Sequence, residues 1–161
     1  KVSNAQPKIA DYPFTTLVPN LGIVKYGDFQ SFIMADIPGL IKGAHKGHGL
    51  GIQFLRHIER TRLLLLLIDV SVGNTEDPVA QLETLQTELA QHDSQLASRP
   101  VIIVASKMDS ANETIVEKLE QWCGQEKMDF AKISSITGKG IDGLKRHVIE
   151  KLRSTDMTMD S

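Results

Sequence analysis

The residues that could do chemistry lie in three short groups, and each group directly follows an apolar run. Residues 36–39 follow the run at 32–35, and further groups lie at 106–109 and at 134–135. Apolar runs of this kind predict buried strands, and ligands bind at the carboxyl ends of the strands in open α/β sheets. The three groups therefore predict one ligand site that is built from separate loops.

The first group suits phosphate and metal binding. Asp36 can hold a water of Mg²⁺, because that ion prefers oxygen ligands and keeps several of its waters. Gly39 has no Cβ, so its N–H can approach a terminal phosphate oxygen, and Pro38 lies in the turn between the two. The alternative is an ordinary turn after a strand, because so short a pattern also arises by chance.

The other two groups suit recognition of a purine base. The Asp109 carboxylate can accept from both N1–H and the exocyclic amine of guanine, a pair of donors that adenine does not offer. The stem of Lys107 can lie over the base plane. Backbone N–H groups of the loop that begins with Ser134 and Ser135 can donate to the guanine O6. Each pattern alone is common, so the prediction depends on their order and on their places at strand ends.

Thr15 and Thr16 lie in a loop that is bounded by Pro13 and Pro19. Two adjacent hydroxyls in such a loop can ligate a metal or contact phosphate. The alternative is a solvated loop whose threonine hydroxyls bond to the nearby backbone. The residues alone leave both interpretations open.

The apolar periodicity predicts an α/β fold with three layers, in which a mostly parallel sheet carries helices on both faces. A hairpin at 21–26 and 31–35 precedes Asp36. A strand at 63–68 has no alternation, which predicts burial on both faces. The remaining predicted elements are a helix at 52–62, a helix from Asp77 through Ala97, a strand at 101–105, a helix capped by Asn112, a strand at 130–133, a helix lined by residues 141–152 and a frayed polar tail at 154–161.

Composition excludes several classes of protein. The chain has 161 residues, 41% hydrophobic and 24% charged, which is ordinary for one globular domain. Its net charge of −2 gives no basic excess that would favour nucleic acid. The single cysteine, Cys123, excludes an internal disulfide, and the longest apolar run, at 63–68, is too short to span a membrane.

Three longer stretches are more specific than the short groups. Residues 8–22 read KIADYPFTTLVPNLG, residues 35–41 read ADIPGLI and residues 49–60 read GLGIQFLRHIER. With them the chain resembles a translation-factor-class GTPase, and more narrowly the Obg family, over nearly all of residues 1–152. The resemblance implies a P-loop GTPase fold, with a GTPase domain at 1–153.

The resemblance also implies ligands and a role for each group of residues. Thr15 and Thr16 would form the first switch, and Asp36, Pro38 and Gly39 would open the second. The implied ligands are GTP or GDP with Mg²⁺, which Thr16 would ligate in the triphosphate state and whose water Asp36 would hold. The implied guanine-binding residues are Ser106, Lys107, Asp109, Ser134 and Ser135.

Two departures from the family pattern, and one difference from Ras-like proteins, affect the expected activity. The phosphate-binding loop, G-x-x-x-x-G-K-[ST], is not in the sequence, and in the family it precedes the position of Lys1 together with the first strand. We therefore expect an amino-terminally incomplete domain that aggregates or stays molten when expressed alone. Ser106 replaces the family's Asn and can only partly tie the base loop to the phosphate loop. Leu40 replaces the water-orienting Gln of Ras-like proteins, which predicts slow hydrolysis aided by K⁺ or a partner.

The predicted function is a GTP-binding switch with slow GTP hydrolysis in assembly of the large ribosomal subunit, as the resemblance implies. Its partners would be GTP or GDP and the rRNA and protein of that subunit. Its compartment would be the cytoplasm or, alternatively, a mitochondrion or chloroplast. The alternative function is a degenerate GTPase-like module that hydrolyses nothing and serves as a ribosome or protein adaptor. The long stretches disfavour a third hypothesis, an α/β interaction domain with chance motifs.

Overall fold

A computed structural model describes residues 20–26, 30–36, 59–92 and 98–159. The chain divides into two compact units, Lys1–Thr61 and Arg62–Ser161. Among the described residues, the first unit contributes two strands, and the second contributes three strands, three α-helices and one short 3₁₀ helix.

The first unit contains the predicted hairpin. Strand β1 (Asn20–Tyr26) pairs antiparallel with β2 (Gln30–Asp36), in a register that sets Asn20 opposite Asp36. Alternate side chains of β1 face opposite sides, so Val24 is fully buried while Ile23 is 61% exposed. The hairpin is confirmed, and its predicted turn at 27–28 lies outside the described residues.

The second unit contains a parallel sheet in the order β3-β4-β5, made of β3 (Leu64–Asp69), β4 (Val101–Ser106) and β5 (Asp129–Lys132). The four consecutive residues 102–105 of β4 are all buried. Because successive side chains of a strand point to opposite faces, both faces of β4 are covered. This parallel sheet confirms the predicted α/β fold, and it brings the carboxyl ends of the three strands to one edge.

Strand β3 differs from its prediction, because it is buried on one face only. Leu64, Leu66 and Ile68 are buried, whereas Leu67 is 48% exposed. Among the described strands, β3 lies at the end of its sheet and pairs only with β4. The prediction of burial on both faces was therefore wrong. A run of leucines does not alternate with polar residues, so the sequence cannot show which of its two faces is covered.

Three helices accompany this sheet: α1 (Pro78–His92), α2 (Glu113–Gln125) and α3 (Ile141–Met159). Helix α1 contacts α2, and α2 and α3 each contact β5. The Asp77 carboxylate accepts from the Val79 N–H and the Asn112 side chain accepts from the Thr114 N–H, so both predicted helix starts are capped. The buried apolar residues recur at helical spacing and include Leu82, Leu85 and Leu89 in α1, Val116, Leu119 and Trp122 in α2, and Ile141, Leu144 and Val148 in α3.

Helix α3 also differs from its prediction, because it ends at Met159 instead of fraying from residue 154. The hydroxyls of Ser154 and Thr155 both donate to the Lys151 carbonyl, at 2.8 and 2.9 Å. These bonds satisfy polar side chains within the helix, so polarity alone does not end it.

Two other predicted helices lie partly outside the described residues. Of the helix predicted at 52–62, the structure describes only 59–62, where Glu59 is helical. Helix α1 is described to His92, and the predicted continuation at 93–97 lies outside. None of the described helices combines the length and the hydropathy that crossing a bilayer requires.

Candidate functional site

The chain turns sharply where it leaves β4. Lys107 has left-handed backbone angles, φ 61° and ψ 39°, and a short 3₁₀ helix (Met108–Ser110) follows. The Met108 N–H donates to the Ile133 carbonyl at 3.1 Å, and the Ser110 N–H donates to the Lys107 carbonyl at 3.0 Å. These bonds fasten the turn beside the exit of β5, so residues 107–109 and 134 lie together as the sequence predicts.

Ser106 lies at this edge, and its hydroxyl is used within the sheet. Its Oγ donates to the Ile68 carbonyl of β3 at 2.9 Å, and its own carbonyl accepts from the Val70 N–H at 3.2 Å. Ser106 therefore holds the ends of β3 and β4 together. A hydroxyl carries a single proton, and here that proton is committed to a strand carbonyl.

Asp109 and Ser134 form the central pair of the site. The Ser134 side chain is buried. Its hydroxyl donates to Asp109 Oδ1 in a short hydrogen bond, and the same hydroxyl oxygen accepts from the Thr137 N–H at 3.1 Å. Asp109 itself is exposed. Because a carboxylate has about four lone-pair sites, one bond from Ser134 leaves it the capacity to accept two further donors.

The loop at 134–140 shapes itself largely through its own backbone. The Ser134 N–H donates to the Lys139 carbonyl at 3.0 Å, and the Gly138 N–H donates to the Ser134 carbonyl at 2.9 Å. The Ser134 amide is therefore engaged within the loop, and donation to a guanine O6 by backbone N–H groups of this loop stays a prediction. The role of Ser134 in the structure is to orient Asp109, while Ser135 is exposed on the loop.

Gly140 closes this loop against β5. Its φ is +81°, and a Cβ at this position would lie 2.0 Å from the Lys132 carbonyl oxygen. A glycine is therefore required both by the left-handed conformation and by the close approach of the two backbones. The sequence contained Gly140 in the pattern after Ser134, but this contact could not be foreseen from it.

Lys107 makes an ion pair that sequence analysis missed. Its Nζ lies 2.6 Å from Oδ2 of Asp69, the last residue of β3, while Asp69 Oδ1 accepts from the Ser71 N–H and hydroxyl at 2.9 and 2.6 Å. The bond from Lys107, followed by that from the Ser71 hydroxyl, lowers the pKa of Asp69 from 3.8 to about 2. The sequence did contain a signal for this pair, because Asp69 directly follows the leucine run. In the sheet Asp69 is in register with Ser106, the residue before Lys107.

The residues predicted for phosphate and metal belong to the first unit. Asp36 ends β2 with an exposed carboxylate, while Thr15, Thr16, Pro38 and Gly39 lie outside the described residues. No cluster of three metal-ligating side chains occurs in the described part of the chain. The oxygen donors of Asp36 fit Mg²⁺, which needs only one or two protein carboxylates beside waters and phosphate oxygens.

A surface cleft of about 540 Å³ has Asp109 in its lining. Its lining also includes Val72, Met108, Glu113, Val116 and Lys132. Lys107, Ser134 and Ser135 do not line it. Of the residues predicted to bind guanine, only Asp109 lines this cleft.

Comparison with protein families gives an independent description of the chain. A family model described as 50S ribosome-binding GTPase matches residues 1–107. GTPase Obg of Solibacter usitatus is 54% identical over 153 residues, which are 94% of this chain and 45% of that protein. GTPase Obg of Acidobacterium capsulatum is 50% identical over 157 residues, 95% of this chain and 46% of that protein. The chain thus spans about half the length of the curated relatives that it matches.

Solved structures resemble the fold. The G domain of the FeoB iron transporter of T. maritima matches with a TM-score of 0.61 and 19% identity, over 94% of this chain and 86% of that one. Translation elongation factor SelB of Methanococcus maripaludis, in complex with the GTP analogue GppNHp, matches with a TM-score of 0.55 and 19% identity, over 86% of this chain and 28% of that one. At this identity the likeness shows the fold, which is the P-loop GTPase fold that the sequence predicted.

Proposed function

We propose, on the premise that this chain belongs to the 50S ribosome-binding GTPase family, that it binds GTP and GDP and reads the guanine base with Asp109. The predicted resemblance to the Obg family is confirmed by the family model and by relatives that are named GTPase Obg. The observation that carries the proposal is the hydrogen bond from Ser134 to Asp109. It orients an exposed carboxylate at the edge where β4 and β5 end.

Base recognition follows from the donors and acceptors of the two purines. Guanine presents N1–H and the 2-amino group side by side, and the two oxygens of the Asp109 carboxylate can accept one each. Adenine presents an unprotonated N1 and a C2–H there, so the carboxylate would be left without donors. Hydrogen bonds to a charged group contribute roughly 1.5–3 kcal/mol each, which is the expected order of discrimination.

Lys107 contributes a second contact in this proposal. Its methylene stem can lie over the base plane while its ammonium remains on Asp69. Ser106 takes no direct part, because its hydroxyl proton is committed to the Ile68 carbonyl. The exposed Ser135 is proposed to flank the base from the other loop.

Mg²⁺ would be held by Asp36, through a water, and by Thr16. When bound, the ion supplies positive charge beside the phosphate oxygens. Thr15, Pro38 and Gly39 complete the proposed switch segments, which contact the γ-phosphate in the GTP state and are released in the GDP state. The exposed carboxylate of Asp36 at the end of β2 is the described feature that supports this part.

Hydrolysis is proposed to be slow, because Leu40 carries no group that can orient water. A monovalent cation such as K⁺, or a partner, would then be needed to accelerate it. The family description supports the large ribosomal subunit as that partner. The proposed place where the two meet is the cytoplasm. The switch would act in assembly of that subunit.

Binding and hydrolysis measurements on the full-length protein test the proposal. We expect GDP to bind in calorimetric titrations at least about tenfold more tightly than ADP, as one unpaired polar contact implies. GTP should be hydrolysed slowly, and faster in KCl than in NaCl. Equal affinity for GDP and ADP would contradict guanine recognition. Tight GDP binding with no hydrolysis under any condition would instead favour the adaptor without GTPase activity.

A further inference from the structure

We infer that Asp69 is a positioning residue of the guanine site, which fixes the Lys107 ammonium at the end of β3 and so aligns the lysine stem for the base. The inference rests on the proposed function, because it concerns the same site. It adds a residue from a third strand to the two loops that the sequence identified.

Asp69 is held by the protein on both sides of its carboxylate. Oδ1 accepts from the Ser71 N–H and hydroxyl, and Oδ2 lies 2.6 Å from Lys107 Nζ. The Asp69 carbonyl in turn accepts from the Asn74 side chain at 2.6 Å. The carboxylate is therefore fixed by its own segment, independently of the lysine that it binds.

The backbone brings Lys107 to this anchor. Asp69 is in register with Ser106, and the Ser106 hydroxyl ties the two strand ends together through the Ile68 carbonyl. Lys107 is the next residue, and its left-handed backbone directs the chain out of the sheet at that point. A lysine side chain loses much rotamer freedom when it is ordered, and Asp69 orders it before a base arrives.

Charge supports the same role. With its pKa lowered to about 2, Asp69 is ionised at the near-neutral pH of a nucleotide-binding assay. The side chains are 60% and 38% exposed for Lys107 and Asp69, so the pair is a partly solvated one of moderate strength. An effect of about two- to fivefold on affinity is the size that such a pair can produce.

The chain offers a matched control in Asp77 and Lys118. This ion pair has the same length, 2.6 Å, and similar exposure, 48% and 52%. It joins the start of α1 to α2, away from the residues of the site. Asn at position 77 keeps an acceptor for the Val79 N–H, so the helix cap survives the substitution.

The test is a double-mutant cycle on the full-length protein, with GDP affinity and thermal midpoint measured for each variant. Asp69→Asn should weaken GDP binding about two- to fivefold. In a Lys107→Met background the same substitution should have no further effect, and Asp77→Asn should leave affinity unchanged. If Asp69→Asn fails to fold, Asp69→Glu, which moves the carboxylate by one methylene, enters the cycle with the same expected loss.

Three results would overturn the inference. If an Asp69 variant bound GDP as tightly as the parent, Asp69 would not position Lys107 for the base, and the proposed function would be unaffected. An equal loss in the presence and absence of Lys107 would show that Asp69 acts through general stability, and the thermal midpoints would fall with it. A parent protein that does not bind GDP would overturn the proposed function and this inference together.

Discussion

Two carboxylates show how the site is made at the scale of single residues. Asp109 is oriented by Ser134, which lies 25 residues further along the chain, and Asp69 is paired with Lys107, 38 residues away. Residue types at strand ends predicted that Asp109 and Lys107 would lie at one edge. The partners themselves could not be predicted, because they depend on side-chain geometry to a fraction of an ångström.

For Ser106 too, the position could be predicted from the sequence but the hydrogen bond could not. Its place at the end of β4 was predicted, and so was its weakness as a replacement for Asn. The hydrogen bond from its hydroxyl to the Ile68 carbonyl could not be predicted, because the neighbouring strand and its register must be known first. Local sequence therefore predicted where the residue lies but not what its hydroxyl does.

Acid stability tests the Asp69 ion pair in the absence of nucleotide. The pKa of Asp69 falls from 3.8 to about 2 on folding, so its contribution to stability is present above about pH 4 and is lost as the pH falls toward 2. Because the side chain is 38% exposed, screening limits the contribution to about 1 kcal/mol. Urea unfolding of the parent and of Asp69→Asn between pH 2 and 6 should show a flatter pH dependence for the variant. Parallel curves would contradict the pair.

At the scale of elements, caps and apolar spacing predicted most of the second unit. Strands β3 and β4 begin and end within one residue of their predicted positions, and α2 starts directly after Asn112 as predicted. The errors have physical causes: β3 lies at the end of the described sheet, and the hydroxyls in α3 bond to their own helix. Propensity and pattern describe a segment, whereas exposure and helix ends depend on its surroundings.

The loop at 134–140 provides the stability prediction at this scale. Gly140→Ala places a Cβ 2.0 Å from the Lys132 carbonyl oxygen at a positive φ, and should reduce the free energy of unfolding by more than about 1 kcal/mol. Gly143→Ala is the matched control, because Gly143 lies in α3 and a Cβ added there would meet nothing within 4 Å. Gly143→Ala should raise the free energy of unfolding by roughly 0.5–1 kcal/mol. Equal effects of the two substitutions in urea unfolding would contradict the described loop.

At the scale of the whole molecule, the fold family was predictable because long specific stretches carry it. Residues 8–22, 35–41 and 49–60 indicated the family, although most of them lie outside the described residues. The division into Lys1–Thr61 and Arg62–Ser161 was not predicted, since the family resemblance implied one GTPase domain at 1–153. The 1–153 domain boundary stays a prediction, as do the phosphate and metal roles of Thr15, Thr16, Pro38 and Gly39.

The account depends most on the claim that Asp109 reads guanine, and exchange of the base tests that claim directly. In Asp109→Asn one acceptor becomes an N–H₂ donor, which opposes the guanine 2-amine but matches the C2 carbonyl of xanthine. Titration of the full-length parent and variant with GDP and xanthosine diphosphate should show GDP affinity falling by roughly 10- to 100-fold, as expected for hydrogen bonds to a charged group, while xanthosine diphosphate binds more tightly. A variant that binds GDP as tightly as the parent would contradict the account.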